Sequence, residues 1–289
     1  MSRIKRGWQL TKKSWALLRE NPELLRFPLY GGAATIVCAI VVVGPGVYLI
    51  ADDQTVFGGA LAVIGFYLLA VIGTYFSVGL AAAADMIFHG QQAGVGDGLA
   101  VARTRFSQIA GWAAVSTTIG LALSALENQG FIGQIVGRLL AIGWSLITFL
   151  AVPVIALEGT GPLETLKRSS SLFKSRWGAQ VTGNIAIGGA VFLFGMLPSA
   201  LLIFAGFLIW ASASFAGALL LVIGVIGLAI SVLVSSALSN IFGVALYRYA
   251  LDGEALGGFT ADELNSAVRS KGGRNAPPTA PPTATPGTI

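Results

Sequence analysis

Charge is what this sequence lacks most. Only 11% of its 289 residues are Asp, Glu, Lys or Arg, against about 25% in a soluble domain. With 55% hydrophobic residues, a chain of this length cannot hide its apolar surface from water, so lipid must solvate part of it. Cysteine is nearly absent too. Cys38 stands alone, which excludes a disulfide framework and a Cys-based metal site within one chain. Histidine occurs once, as His89. There is no P-loop, no dinucleotide Gly pattern after a strand, no zinc-protease pair and no nucleophile elbow. No cofactor is expected. No cleavable signal peptide is apparent, because the basic N-terminal region is long and the first apolar run begins only near Pro28.

What is present is a set of six apolar runs: roughly 28–50, 57–84, 109–126, 134–157, 182–209 and 213–246. A helix needs about 20 apolar residues to cross the hydrocarbon. The third run is the shortest and carries Ser116, Thr117, Thr118 and Ser124. The last is too long for a simple crossing and is expected to tilt or to continue toward Arg248.

The basic residues fall almost entirely on one side of these runs. Seven lie before the first, Arg103 and Arg105 between the second and third, and Lys167, Arg168, Lys174 and Arg176 between the fourth and fifth. Four more, from Arg248 onward, follow the sixth. The other side has Arg138 alone, against Asp52, Asp53 and Glu127. The positive-inside rule then places both termini in the cytoplasm and explains the net +5 without nucleic acid. The expected fold is all-α: a polytopic bundle of six spans with cytoplasmic interfacial amphipathic helices.

On a helical wheel Ile4, Trp8, Trp15 and Leu18 share a face opposed by Lys5, Arg6, Lys12, Lys13 and Glu20. This predicts an interfacial helix with aromatic anchors at the headgroups and a basic face toward anionic lipid. Asn21-Pro22 breaks it before the first span. The connection at 159–178 repeats the design. There Leu163, Leu166, Phe173 and Trp177 share a face, and Lys167, Arg168 and Lys174 oppose it. Between 97 and 110, Leu99, Ala102, Phe106 and Ile109 line up. Thr260-Ala261-Asp262-Glu263 reads as a capping box. The organisation is therefore a basic helix over 1–27, the membrane domain over 28–250, a short cytoplasmic helical segment over 251–270 and a disordered Pro/Thr-rich tail over 271–289. One interfacial helix followed by two spans, three times over, is an architectural repeat. Any juxtamembrane connector gives a similar pattern.

The start Gly7-Trp8-Gln9-Leu10 through Ser14-Trp15-Ala16-Leu17-Leu18 resembles an uncharacterised family of bacterial six-span membrane proteins. So does the run Glu158-Gly159-Thr160-Gly161-Pro162-Leu163, with Lys167-Arg168-Ser169 and Trp177-Gly178. The likeness spans about residues 1–255 and implies a location in the bacterial cytoplasmic (inner) membrane. A looser similarity is to the membrane domain of some glycerophosphodiester phosphodiesterases. No catalytic domain is attached here, so no hydrolase activity carries over.

Ionisable groups at membrane depth are functional suspects. Asp85 and His89 stand at i and i+4 and share a helix face. Two ligands do not make a metal site, so the pair reads as the polar end of the second span. A metal or proton site is the sharper alternative. Glu158 reads as an interfacial carboxylate near Lys167 and Arg168, and Arg138 as a snorkelling cation or a partner of Glu127. Asn184 and Asn240 suit hydrogen bonds across helices. Pro45, Pro153 and Pro198 are expected to kink their helices.

The reading that follows is a non-enzymatic integral membrane protein. It would organise the cytoplasmic leaflet or bind anionic lipid, or a membrane or cytoplasmic protein partner, there. A small transporter for a neutral or amphiphilic solute is the alternative. It predicts a midplane cavity near Thr74, Ser116, Asn184 or Ser239. A lipid-acting enzyme needs Asp85, His89 and Glu158 to converge.

Overall fold

A computed structural model of the chain describes residues 15–177, 192–210, 212–261 and 264. Its regular elements are helices, and no strand occurs among the described residues. In order they are α1 (Pro22–Ala51), α2 (Thr55–Phe88), α3 (Val95–Thr104), α4 (Phe106–Glu127), α5 (Gly130–Ile147), α6 (Ala151–Glu158), α7 (Pro162–Trp177), α8 (Leu197–Ile209) and α9 (Ser214–Asp252). Five helical stretches are long and apolar enough to cross a membrane: α1, α2, α4, the α5–α6 pair and α9. This is a membrane protein. Of the run expected over 182–209, residues 182–191 lie outside the described residues. The remainder is one turn at Phe192–Met196 followed by α8.

Short connections force neighbouring helices into antiparallel hairpins, and glycine sets how closely they approach. Asp52–Gln54 turn α1 into α2, with Asp53 at φ 61°. Beside that turn, a methyl group on Gly58 would lie 2.7 Å from the carbonyl oxygen of Gly46. In the α8–α9 hairpin a methyl on Gly217 would lie 2.9 Å from the carbonyl oxygen of Gly206. Without a hydrophobic drive between helices in lipid, such backbone contact supplies the dispersion energy that pairs them.

Each membrane proline follows an irregular turn. A wide turn at Ala39–Val43 precedes Pro45, another at Phe192–Met196 precedes Pro198, and the helix opens between Ile147 and Ala151 ahead of Pro153. Proline lacks the N–H for the i−4 carbonyl and its ring crowds that carbonyl, so the preceding turn loosens. The single span expected over 134–157 is thus built from two helices, α5 and α6. The gap is repaired from outside. The buried Ser169 hydroxyl donates to Ile147 O at 2.5 Å and accepts from Leu150 N at 3.2 Å.

Burial concentrates at the basic end. There α2 buries Val78 through Asp85, and α9 buries Ile241 through Tyr247, against α6 and α7. Stacked Trp112 and Trp144, with ring centroids 6.1 Å apart, join α4 to α5. At the far end Val56, Phe57, Phe131 and Phe215 are exposed, as lipid-facing side chains should be.

α7 is more than a surface helix. It packs against α4, α5, α6 and α9, and buries Thr165, Ser169, Leu172 and Phe173. Leu163 is 68% exposed. The buried face is therefore rotated from the apolar face expected for 159–178. Thr165 and Ser169 can go inside because both are hydrogen-bonded, Thr165 to Thr160 and Ser169 across the α5–α6 gap. After α9 the chain turns back over the same end. Phe259 meets Phe242 edge-on at 5.7 Å, and Leu264 is fully buried.

Candidate functional site at the basic end

Two ion pairs close the basic end, and adjacent residues of α9 bind both. Arg248 reaches from the last turns of α9 to Asp85 near the end of α2. Its Nε donates to Oδ1 and its Nη2 to Oδ2, each at 2.7 Å. The side chains are 22% and 12% exposed. This planar two-point fit is the strongest form of carboxylate recognition a side chain offers. α2 runs as far as Phe88, so Asp85 sits inside a helix. His89, at the helix C-cap, bonds through Nδ1 to the Asp85 carbonyl at 2.7 Å, and lies 3.8 Å from Asp85 Oδ2.

Tyr247, the residue before Arg248, donates its hydroxyl to Glu158 Oε1 at 2.7 Å. Arg168 of α7 donates Nε to both Glu158 oxygens, at 2.8 and 3.1 Å. The Glu158 bond raises the Arg168 guanidinium above its already high ordinary pKa, so it stays cationic at any accessible pH. Glu158 thus ties α6 to α7 and α9, while Asp85 ties α2 to α9. Arg168, which the sequence places on the lipid-facing basic surface, is partly exposed and ion-paired with Glu158. Phe173, read as a lipid contact, is buried.

Arg105 lies over the end of α6. Gly159 caps that helix at φ 67°, and a Cβ there would collide with the Arg105 guanidinium. Glycine is needed twice over, for the left-handed turn and for the close approach. Arg105 Nε is buried with no hydrogen-bond partner among the described residues.

Around this neutralised centre stand exposed cations. Arg103, Lys167 and Lys174 are exposed, and none has an ion-pair partner among the described residues. Trp15 is 47% exposed, whereas Leu18 is buried in the core. Trp8, Lys12 and Lys13 lie outside the described residues, as does the Trp177 side chain. Arg138 is exposed at the far end and makes no ion pair with Glu127 among the described residues. Asn240 bonds to Ser236 O in its own helix at 2.9 Å; Asn184 lies outside the described residues. No group of three His, Cys, Asp or Glu side chains among the described residues gathers closely enough to hold a metal. Glu158 makes no hydrogen bond to Asp85 or His89; the two carboxylates are linked only through neighbouring residues of α9.

Sequence reasoning singled out Asp85, His89, Glu158 and Arg168. It missed Tyr247, the Arg105–Gly159 stack and the role of Arg248. The available signal was a Tyr-Arg pair ending the last apolar run, one helical turn from Asp252.

A family of unknown function (DUF6159) matches residues 57–258. The chain belongs to that family. The matched stretch contains Asp85, Glu158, Arg168, Tyr247 and Arg248, hence both ion pairs. No curated protein and no solved structure matches the chain.

Proposed function

We propose that this family member is a non-enzymatic membrane protein whose basic end faces the cytoplasm and binds anionic lipid headgroups. The observation that carries this is the division of labour among its cations. Arg168 and Arg248 are paired with Glu158 and Asp85, while Arg103, Lys167 and Lys174 are exposed and have no ion-pair partner among the described residues. Each cation held near an anionic surface contributes about 1 kcal/mol of attraction. A protein partner with an acidic face is the other occupant such a surface accepts.

Native mass spectrometry from mixed phosphatidylglycerol and phosphatidylcholine nanodiscs tests the lipid reading. The wild type should retain phosphatidylglycerol selectively, and an Arg103→Gln, Lys167→Gln, Lys174→Gln variant should lose most of that selectivity. Equal retention by the two proteins would sink the reading.

A further inference from the structure

Away from the ion pairs, α1, α2 and α9 enclose a half-open groove of about 250 Å³. Thr35, Gly73, Phe76, Ser77, Ser236 and Asn240 line it. Its rim is lipid-facing, since Gly73 and Val232 are exposed. Its depth follows from helix geometry. Ser77 and Asn240 each stand eight residues before Asp85 and Arg248, about 12 Å along the helix. Thr35 is near the middle of α1. With Asp85 and Arg248 at the headgroup level of the proposed orientation, the polar wall would lie within the hydrocarbon, below the level of phosphates and glycerol esters.

At that depth the wall carries three hydroxyls, of Thr35, Ser77 and Ser236, none of them hydrogen-bonded within the protein among the described residues. Asn240 donates one of its two amide N–H groups to Ser236 O, leaving the second N–H and the side-chain oxygen. Unmet hydroxyls in hydrocarbon are costly, and water is not there to meet them. No charged residue lines the groove, so the matching ligand is neutral. Each hydroxyl can donate to a ligand carbonyl. Phe76 lines the groove, and a methyl on Gly73 would meet nothing within 4 Å, which leaves room for a flat ring.

The geometry points to a binding site for the ring of an isoprenoid quinone, with its carbonyls on the Thr35, Ser77 and Ser236 hydroxyls and its tail leaving past Val232 into lipid. Quinones meet each requirement: neutral, planar, two carbonyls and an apolar tail that keeps them within the hydrocarbon. Diacylglycerol, also neutral and carbonyl-bearing, keeps its esters nearer the interface.

Titration of decylubiquinone into the protein in phosphatidylcholine nanodiscs, with bound quinone counted by native mass spectrometry, tests this. A parallel arm uses dioleoylglycerol. Wild type should bind one quinone saturably and prefer it to dioleoylglycerol. Gly73→Leu fills the open space and should weaken binding about tenfold or more. Ser77→Ala with Ser236→Ala removes two donors with little change of volume and should weaken it several-fold. Should Gly73→Leu fail to fold, the serine pair decides. Absence of saturable quinone binding, equal binding by wild type and the serine variant, or preference for dioleoylglycerol would each overturn the proposal.

Discussion

Asp85 illustrates why single residues at the basic end matter. With both oxygens occupied by Arg248, removing the carboxylate leaves a largely buried guanidinium with only the longer 4.0 Å contact to Asp252 among the described residues. Breaking such a pair costs more than the pair contributes, because the survivor keeps its desolvation penalty. Asp85→Asn should destabilise the protein by about 2 kcal/mol, and Asp85→Leu with Arg248→Met should recover much of that loss. Urea unfolding in detergent micelles, followed by tryptophan fluorescence, measures both. A single variant as stable as wild type would count against a structural role for the pair. Part of this site was legible beforehand: the i, i+4 spacing puts Asp85 and His89 on one face, and Glu158 was read beside Arg168. In the sequence alone Arg248 is one more positive-inside charge. Its partner lies 163 residues away, beyond any local pattern.

At the scale of elements, α7 shows where pattern reading fails. A wheel scores Thr165 and Ser169 as polar and turns them outward. The structure turns them inward, because each finds a partner that a wheel cannot contain. This orientation predicts chemical accessibility. In a Cys38→Ser background, Leu163→Cys should react rapidly with maleimide, while Thr165→Cys, at a fully buried position, should be protected. The reverse order of rates would refute the orientation. The prolines were more legible. Pro45, Pro153 and Pro198 each follow a loosened turn, since the missing N–H and the ring clash are local properties of the residue. What could not be foreseen was the depth of the break before Pro153, which persists only because Ser169 of another helix satisfies both of its ends.

For the whole molecule, the governing fact is asymmetry along the membrane normal. The basic end is packed, ion-paired and covered by α3, α7 and the segment through Leu264. The far end is made of hairpin tips that end in exposed apolar side chains. Under the proposed orientation these tips face away from the cytoplasm. A membrane-impermeant maleimide applied to intact cells, again in the Cys38→Ser background, should then label Asp53→Cys at the α1–α2 turn. Glu254→Cys, just beyond α9, should label only after lysis. Labelling of Glu254→Cys in intact cells would invert the topology and remove the cytoplasmic-lipid reading with it.

The sequence by itself determined that this chain lives in a membrane, where most of its helices run and which ends share the positive charge. Those properties follow from composition and run length, because lipid as a solvent leaves a helix almost no alternative. Only the tertiary structure decided that Arg248 belongs to Asp85, that Tyr247 and Arg168 share Glu158, and that Thr35, Ser77 and Ser236 from three helices line one groove. Each joins residues from separate helices, and the packing that brings them together is set by backbone contact at glycines and by hydrogen bonds across helix breaks, which hydropathy does not register.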